Sequence, residues 1–135
     1  MTKLEAIAED FEGVDNETRL ELLLDYARQL PPLPEAYHPL RDRGLNMVHE
    51  CQSPVFLMVE VKDGTVHIHA DVPEEAPTAR SFVAILVEAF DGADVQTVRE
   101  APGDILNRLG LSNLLGMQRT RGLSAIYQRI KNEVA

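Results

Sequence analysis

Apolar residues first recur at helical spacing as Leu4, Ile7, Ala8 and Phe11, the stripe of a short amphipathic helix. Thr2-Lys3-Leu4-Glu5 precedes it as a capping box, in which hydroxyl and carboxylate satisfy opposite backbone amides. Gly13 ends this helix, and Asp15 is placed to cap a second one with Leu20, Leu23, Leu24, Ala27 and Leu30 as its apolar face. Pro31-Pro32 stops it, because a proline drives the residue before it out of helical geometry. From 31 to 45 the prolines and Gly44 predict an extended connection whose Leu33, Tyr37, Leu40 and Leu45 pack along the surface.

The period then changes to two. Asn46 to His49 reads as a short strand, and Val55 to Val61, rich in β-branched residues, as a longer one. Lys62-Asp63-Gly64 carries the Asp-Gly hairpin signal. Thr65 to Ala70 returns with Val66, Ile68 and Ala70 on one face and Thr65, His67 and His69 on the other. Beyond Pro77 the helical period resumes through Ala79, Phe82, Val83, Leu86, Val87 and Phe90, closed by Gly92. Short helices are expected near 95–100 and 104–109, and Gly110 and Gly116 punctuate the next stretch. A last helix reaches about Val134, with Leu123, Ile126, Tyr127 and Ile130 inward. Helices, a small antiparallel meander and helices again define an α+β class, expected as one domain over 1–135.

Composition narrows the chemistry. Hydrophobic residues make up 44% of 135, with aromatics at 5% and no tryptophan, so the core is expected to be aliphatic. Twenty-two acidic against 13 basic residues give a net charge of -9, which disfavours nucleic acid and anionic lipid as partners. The N-terminus lacks the apolar run of a signal peptide, and no stretch approaches the roughly 18 apolar residues of a membrane span. With one cysteine, an internal disulfide is impossible, and a reducing cytoplasm is the expected location.

That cysteine is Cys51, between two strand-like runs in the polar tetrad Glu50-Cys51-Gln52-Ser53. A thiol at the tip of a β–β connection is expected to be accessible, which suits thiol exchange. A small buried hydrophobe is the competing reading, about as well supported by position alone. A protonated His49 would favour the thiolate and Glu50 would oppose it. Two other chemistries use the same residues. Cys51 with His49, His67 and His69 supplies nitrogen and sulfur ligands for a zinc or iron–sulfur scaffold site. A cysteine hydrolase would need one of His38, His49, His67 and His69 as base, and no spacing selects one.

The segment Asn46-Met47-Val48-His49-Glu50-Cys51-Gln52-Ser53-Pro54-Val55-Phe56-Leu57 resembles the cysteine motif of the SufE family of sulfur-acceptor proteins. Two further blocks match in order: Leu30-Pro31-Pro32-Leu33-Pro34-Glu35 upstream, and Gln118-Arg119-Thr120-Arg121-Gly122-Leu123-Ser124-Ala125-Ile126 downstream. The chain departs from the family pattern at Glu50, where glycine is usual, at Phe56, where tryptophan is usual, and at Ser81, another glycine position. The resemblance implies a SufE/IscU-like fold with a three-stranded antiparallel sheet against several helices. It implies that Cys51 is a nucleophile accepting persulfide sulfur from a pyridoxal-phosphate-dependent cysteine desulfurase, stimulating that enzyme and passing the sulfur to an iron–sulfur scaffold complex. It also implies loop-shaping or positioning roles for His49, Glu50, Gln52, Ser53 and Arg119, and no cofactor held by this chain.

Overall fold

The computed structural model describes residues 1–51 and 53–135. Two N-terminal helices come first, α1 (Lys3–Phe11) and α2 (Asn16–Gln29). The Thr2 capping box forms with both reciprocal bonds, and Asp15 caps α2 by accepting from the Thr18 amide. α2 turns Leu23, Ala27 and Leu30 inward, while Leu20 and Leu24, expected on the same face, are 47% and 44% exposed. The buried stripe is therefore narrower than the leucine pattern implied.

The proline-rich connection is more regular than the expected extended run. A 3₁₀ turn (Glu35–Tyr37) leads into a short helix, α3 (His38–Asp42). Pro39 sits in the first turn of α3, where the missing amide hydrogen costs no helical bond. Leu33 is buried, but Leu45 is exposed. Asn46 then takes a left-handed φ of 55°, a conformation open to asparagine more readily than to most residues, and its carbonyl accepts from the Leu57 amide.

β1 (Met47–Val48), β2 (Val55–Lys62) and β3 (Thr65–Asp71) form an antiparallel sheet in the order β1-β2-β3. Val48 pairs with Val55, which closes the connection that carries Cys51. Asp63 and Gly64 both take positive φ in the two-residue turn between β2 and β3, the geometry that matches strand twist. The inner face sets Val55 and Leu57 beside Ala70, Ile68 and Val66. On the outer face Phe56 is fully buried, Arg41 pairs with Asp71 at 3.0 Å, and the Tyr37 ring stacks on His69 at 4.8 Å.

α4 (Pro77–Phe90) is the central helix, packed against α1, α2, β3 and the C-terminal helix. Its consecutive buried residues Ser81 to Leu86 show that it is covered on nearly all sides. Ser81 is 1% exposed and its hydroxyl donates to the Pro77 carbonyl at 2.7 Å, the usual way for a buried serine to be satisfied within a helix. Short helices α5 (Val95–Arg99), α6 (Ile105–Arg108) and α7 (Leu111–Leu115) follow; α7 was not expected from the sequence pattern. α8 (Met117–Glu133) closes the chain against α4, α5, α7 and β2. The observed α+β architecture, with a three-stranded antiparallel sheet and eight α-helices among the described residues, agrees with the expected class.

Candidate functional site

The loop between β1 and β2 is tied at its base. Arg129 of α8 donates to the Met47 carbonyl at 2.9 Å, so the helix holds the strand that enters the loop. The Cys51 amide donates to the Val48 carbonyl at 3.4 Å, which turns the chain back sharply. Cys51 then rests directly on α8 at Gly122. A side-chain carbon at Gly122 would lie 3.4 Å from both the Cα and the Sγ of Cys51. A glycine in mid-helix costs about 1 kcal/mol relative to alanine, and here it admits a neighbouring backbone closely.

The Cys51 thiol donates to the Gly122 carbonyl at 3.4 Å. The residue is half-buried rather than freely accessible at a loop tip. Burial pushes its pKa up, and the negative charge of Glu50 adds to the effect, bringing the thiol to about 11. The competition read from the sequence is thus decided against the thiolate in the free protein. His49 is exposed and does not line the cavity beside Cys51.

That cavity has a volume of about 240 Å³. Three elements wall it. The loop contributes Glu50, Cys51 and Ser53; the start of α4 contributes Glu75 to Ala79; α8 contributes Gln118, Arg119, Gly122 and Leu123. Glu50, Ser53 and Arg119, singled out from sequence, are therefore gathered around Cys51. Gln52 lies outside the described residues. Glu75, Thr78 and Gly122 were missed as site residues. Only Gly122 carried a signal: a glycine inside a strongly helical, amphipathic run, where it needs a packing reason.

The charge around the site differs from that of the chain as a whole. Residues 105–132 hold five basic side chains and no carboxylate, while the rest of the chain holds eight basic and all 22 acidic ones. Arg119 and Arg121 are exposed on the first turns of α8, and neither makes an ion pair or side-chain hydrogen bond among the described residues. Met117, beside them, is 75% exposed.

The histidines lie elsewhere. His67 and His69 occupy the outer sheet face, with Glu60 opposite His67 and hydrogen-bonded by the Tyr37 hydroxyl. His38 bonds the Leu33 carbonyl at 3.0 Å. Among the described residues no histidine is hydrogen-bonded to Cys51 or lines its cavity, and no group of three or more His, Cys, Asp or Glu side chains is arranged to hold a metal ion. The arrangement offers neither the base of a cysteine hydrolase nor a ready ligand set. It is a single cysteine on a hairpin loop, seated against a helix beside a small cavity.

The class so defined is an α+β protein built around one seated thiol. A family profile described as "SufE: Fe-S metabolism associated domain" matches residues 5–134, and the chain belongs to the SufE family. An uncharacterized SufE-like protein of Mycobacterium tuberculosis is 38% identical over 132 residues, spanning 97% of this chain and 90% of the relative. One from Rhizobium meliloti is 29% identical over 139 residues, spanning 98% and 95%. The solution structure of a hypothetical protein from Thermus thermophilus superposes with a TM-score of 0.83 at 34% identity, covering 99% of this chain and 96% of that one. No helix among the described residues is long and apolar enough to cross a membrane.

Proposed function

We propose that this chain is a cytoplasmic sulfur-acceptor domain. It takes persulfide sulfur onto Cys51 from a pyridoxal-phosphate-dependent cysteine desulfurase, stimulates that enzyme, and delivers the sulfur to an iron–sulfur scaffold complex. The observation that carries the reading is the seat of Cys51: one thiol, half-buried, beside a cavity of about 240 Å³ whose lining among the described residues holds no histidine and no second cysteine. A second thiol nearby would expel the carried sulfur by forming a disulfide. The cavity leaves room beside Sγ for one more sulfur atom.

The transfer is a thiol exchange. Cys51 loses its proton, and its thiolate attacks the terminal sulfur of the donor's persulfide. A new S–S bond forms at Cys51, the donor's S–S bond breaks, and the donor's cysteine leaves as thiolate. There is no net oxidation. The raised pKa keeps the proton on Cys51 in the free protein, so deprotonation belongs to the complex with the donor. Arg119, exposed at the cavity wall, is positioned to meet the donor or the developing negative sulfur. Ser53, at the cavity wall, shapes the loop.

Incubation with a desulfurase and free cysteine, read by intact-mass spectrometry, tests this reading. One sulfur atom is expected on the wild-type chain, removable by reductant, and none on Cys51→Ser. Absence of the adduct, together with undiminished stimulation of the desulfurase by Cys51→Ser, would refute it.

A further inference from the structure

The cavity beside Cys51 carries charges of both signs that do not neutralise each other. Glu50 stands on the loop, Glu75 ahead of α4 and Arg119 on α8, so the carboxylates and the guanidinium belong to different walls. No ion pair joins Arg119 to either carboxylate among the described residues. All three residues are exposed, so their charges are open to a ligand. Apart from Cys51 the rest of the lining is uncharged, with Ser53 and Thr78 polar and Ala79 and Leu123 apolar.

Helix spacing sets the scale of the site. Arg119 and Gly122 are three residues apart on α8 and share a face, with a rise of about 4.5 Å between them. The sulfur of Cys51 rests on Gly122, 3.4 Å from its carbonyl oxygen. Arg119 is therefore rooted about one turn along the helix from the sulfur. In a free cysteine only Cα and Cβ separate the sulfur from the carboxylate, a span of the same order. The cavity volume of about 240 Å³ equals on the order of eight waters, which one sulfur atom and a free cysteine fill together. An uncharged thiol would gain nothing from the three charges, and a purely anionic one would face two carboxylates. A zwitterion meets both signs.

We propose that this cavity binds an α-amino-acid thiol, its carboxylate toward Arg119 and its ammonium toward Glu50 and Glu75, and that the bound thiol takes the sulfur carried on Cys51. The binding stands without any sulfur donor; the transfer rests on the sulfur-acceptor reading. The thiolate of the amino acid attacks the outer sulfur of the Cys51 persulfide. A new S–S bond forms on the amino acid and the S–S bond at Cys51 breaks. Cys51 leaves as thiolate and takes up the proton that the amino-acid thiol gave to water. There is no net oxidation, and the product is a small-molecule persulfide.

Two measurements test this. S-methyl-L-cysteine has the shape of the ligand without its reactive thiol, and iodoacetamide reports on Cys51 alone because it is the only cysteine. S-methyl-L-cysteine is expected to protect Cys51 saturably, with half-protection in the low millimolar range, since the charges that hold it are exposed and screened. Its methyl ester and its N-acetyl derivative, each lacking one charge, are expected to protect less. Arg119→Gln is expected to weaken protection about threefold and to erase the preference over the ester, and Arg119→Lys to keep that preference. The Glu50→Gln, Glu75→Gln double variant is expected to erase the preference over the N-acetyl form. Absence of saturable protection overturns the proposal. So does equal protection by N-acetyl-S-methylcysteine amide, which mimics a cysteine within a protein chain and would reserve the cavity for the donor's own cysteine. In the second measurement, protein loaded by a desulfurase and freed of cysteine is mixed with L-cysteine or 2-mercaptoethanol, and loss of the sulfur is followed by intact mass. The rate is expected to saturate with L-cysteine, over the range that protects, and to rise linearly with 2-mercaptoethanol; a linear rise with both overturns the transfer. Should the desulfurase load no sulfur, the sulfur-acceptor reading falls and the transfer with it, while protection still decides whether the cavity binds the amino acid.

Discussion

At Cys51 three features oppose ionisation: half burial, a carbonyl acceptor at 3.4 Å and a carboxylate on the preceding residue. This has a consequence for stability that is independent of any partner. The folded thiol titrates near 11 against 9.0 for an unperturbed one. Between those values the unfolded chain has already lost its thiol proton and the folded chain has kept it. The unfolded state therefore binds fewer protons, and stability falls as pH rises. The contribution is fully present below about pH 9 and is lost as pH rises through about 11. Urea denaturation at about pH 8 and about pH 10.5 is expected to show a larger loss for wild type than for Cys51→Ser. Tyr127, raised to about 12 by burial and by Asp104, titrates in the same direction, and the comparison with Cys51→Ser removes its share. The sequence alone could weigh His49 against Glu50 only as charges of opposite effect. It could not show that His49 is turned to solvent away from the cavity, because that depends on how the connection closes between Val48 and Val55.

The elements around the site were legible to different degrees, and the differences have local causes. Both N-terminal caps, the Asp-Gly turn and the alternating strand β3 follow from interactions within a few residues, and they form as expected. α3 was hidden by its prolines, which read as breakers although Pro39 occupies a first-turn position that tolerates it. The exposed Leu20 and Leu24 show the other limit: helical spacing marks apolar residues, but tertiary packing chooses which of them meet the core. The junction of α8 with the cysteine loop is a contact between residues 71 apart, and no local pattern announces it. That junction is testable through Gly122. Alanine there fits at van der Waals distance from Cys51 and is expected to raise stability by about 1 kcal/mol through helix propensity, leaving alkylation of Cys51 unchanged. Valine places a second carbon layer into the Cα and Sγ of Cys51, so Gly122→Val is expected to lift the loop and to speed alkylation several-fold. Equal alkylation rates in Gly122→Val and wild type would mean that the loop does not rest on α8 in solution.

Over the whole molecule the core obeys the aliphatic expectation, with Phe11, Phe56, Phe82 and Phe90 as its few large aromatic members, and the charge is divided rather than uniform. A net charge of -9 describes the average surface but not the one beside Cys51. The segment 105–132 has no carboxylate, and two of its five basic residues, Arg119 and Arg121, are exposed without intramolecular partners among the described residues. Glu50 and Glu75 share the cavity wall with this segment, so the face around the cavity is a mixed pattern of basic helix and acidic rim. Such a pattern suits orientation of an encounter more than raw affinity, because exposed charges act on association and are screened by salt. A charged partner should therefore respond to salt. The second-order rate of persulfide transfer from a desulfurase should fall as ionic strength rises from about 0.01 to 0.15 M, over which the screening length shrinks from about 30 to 8 Å. Arg121→Glu, outside the cavity wall, should slow transfer several-fold at low salt by raising the concentration of acceptor needed for half-maximal rate. The rate at saturation should be unchanged, and the difference should vanish at high salt. Transfer by Arg121→Glu that equals wild type at low salt would assign docking to the rest of the face, where Met117 offers apolar rather than charged contact.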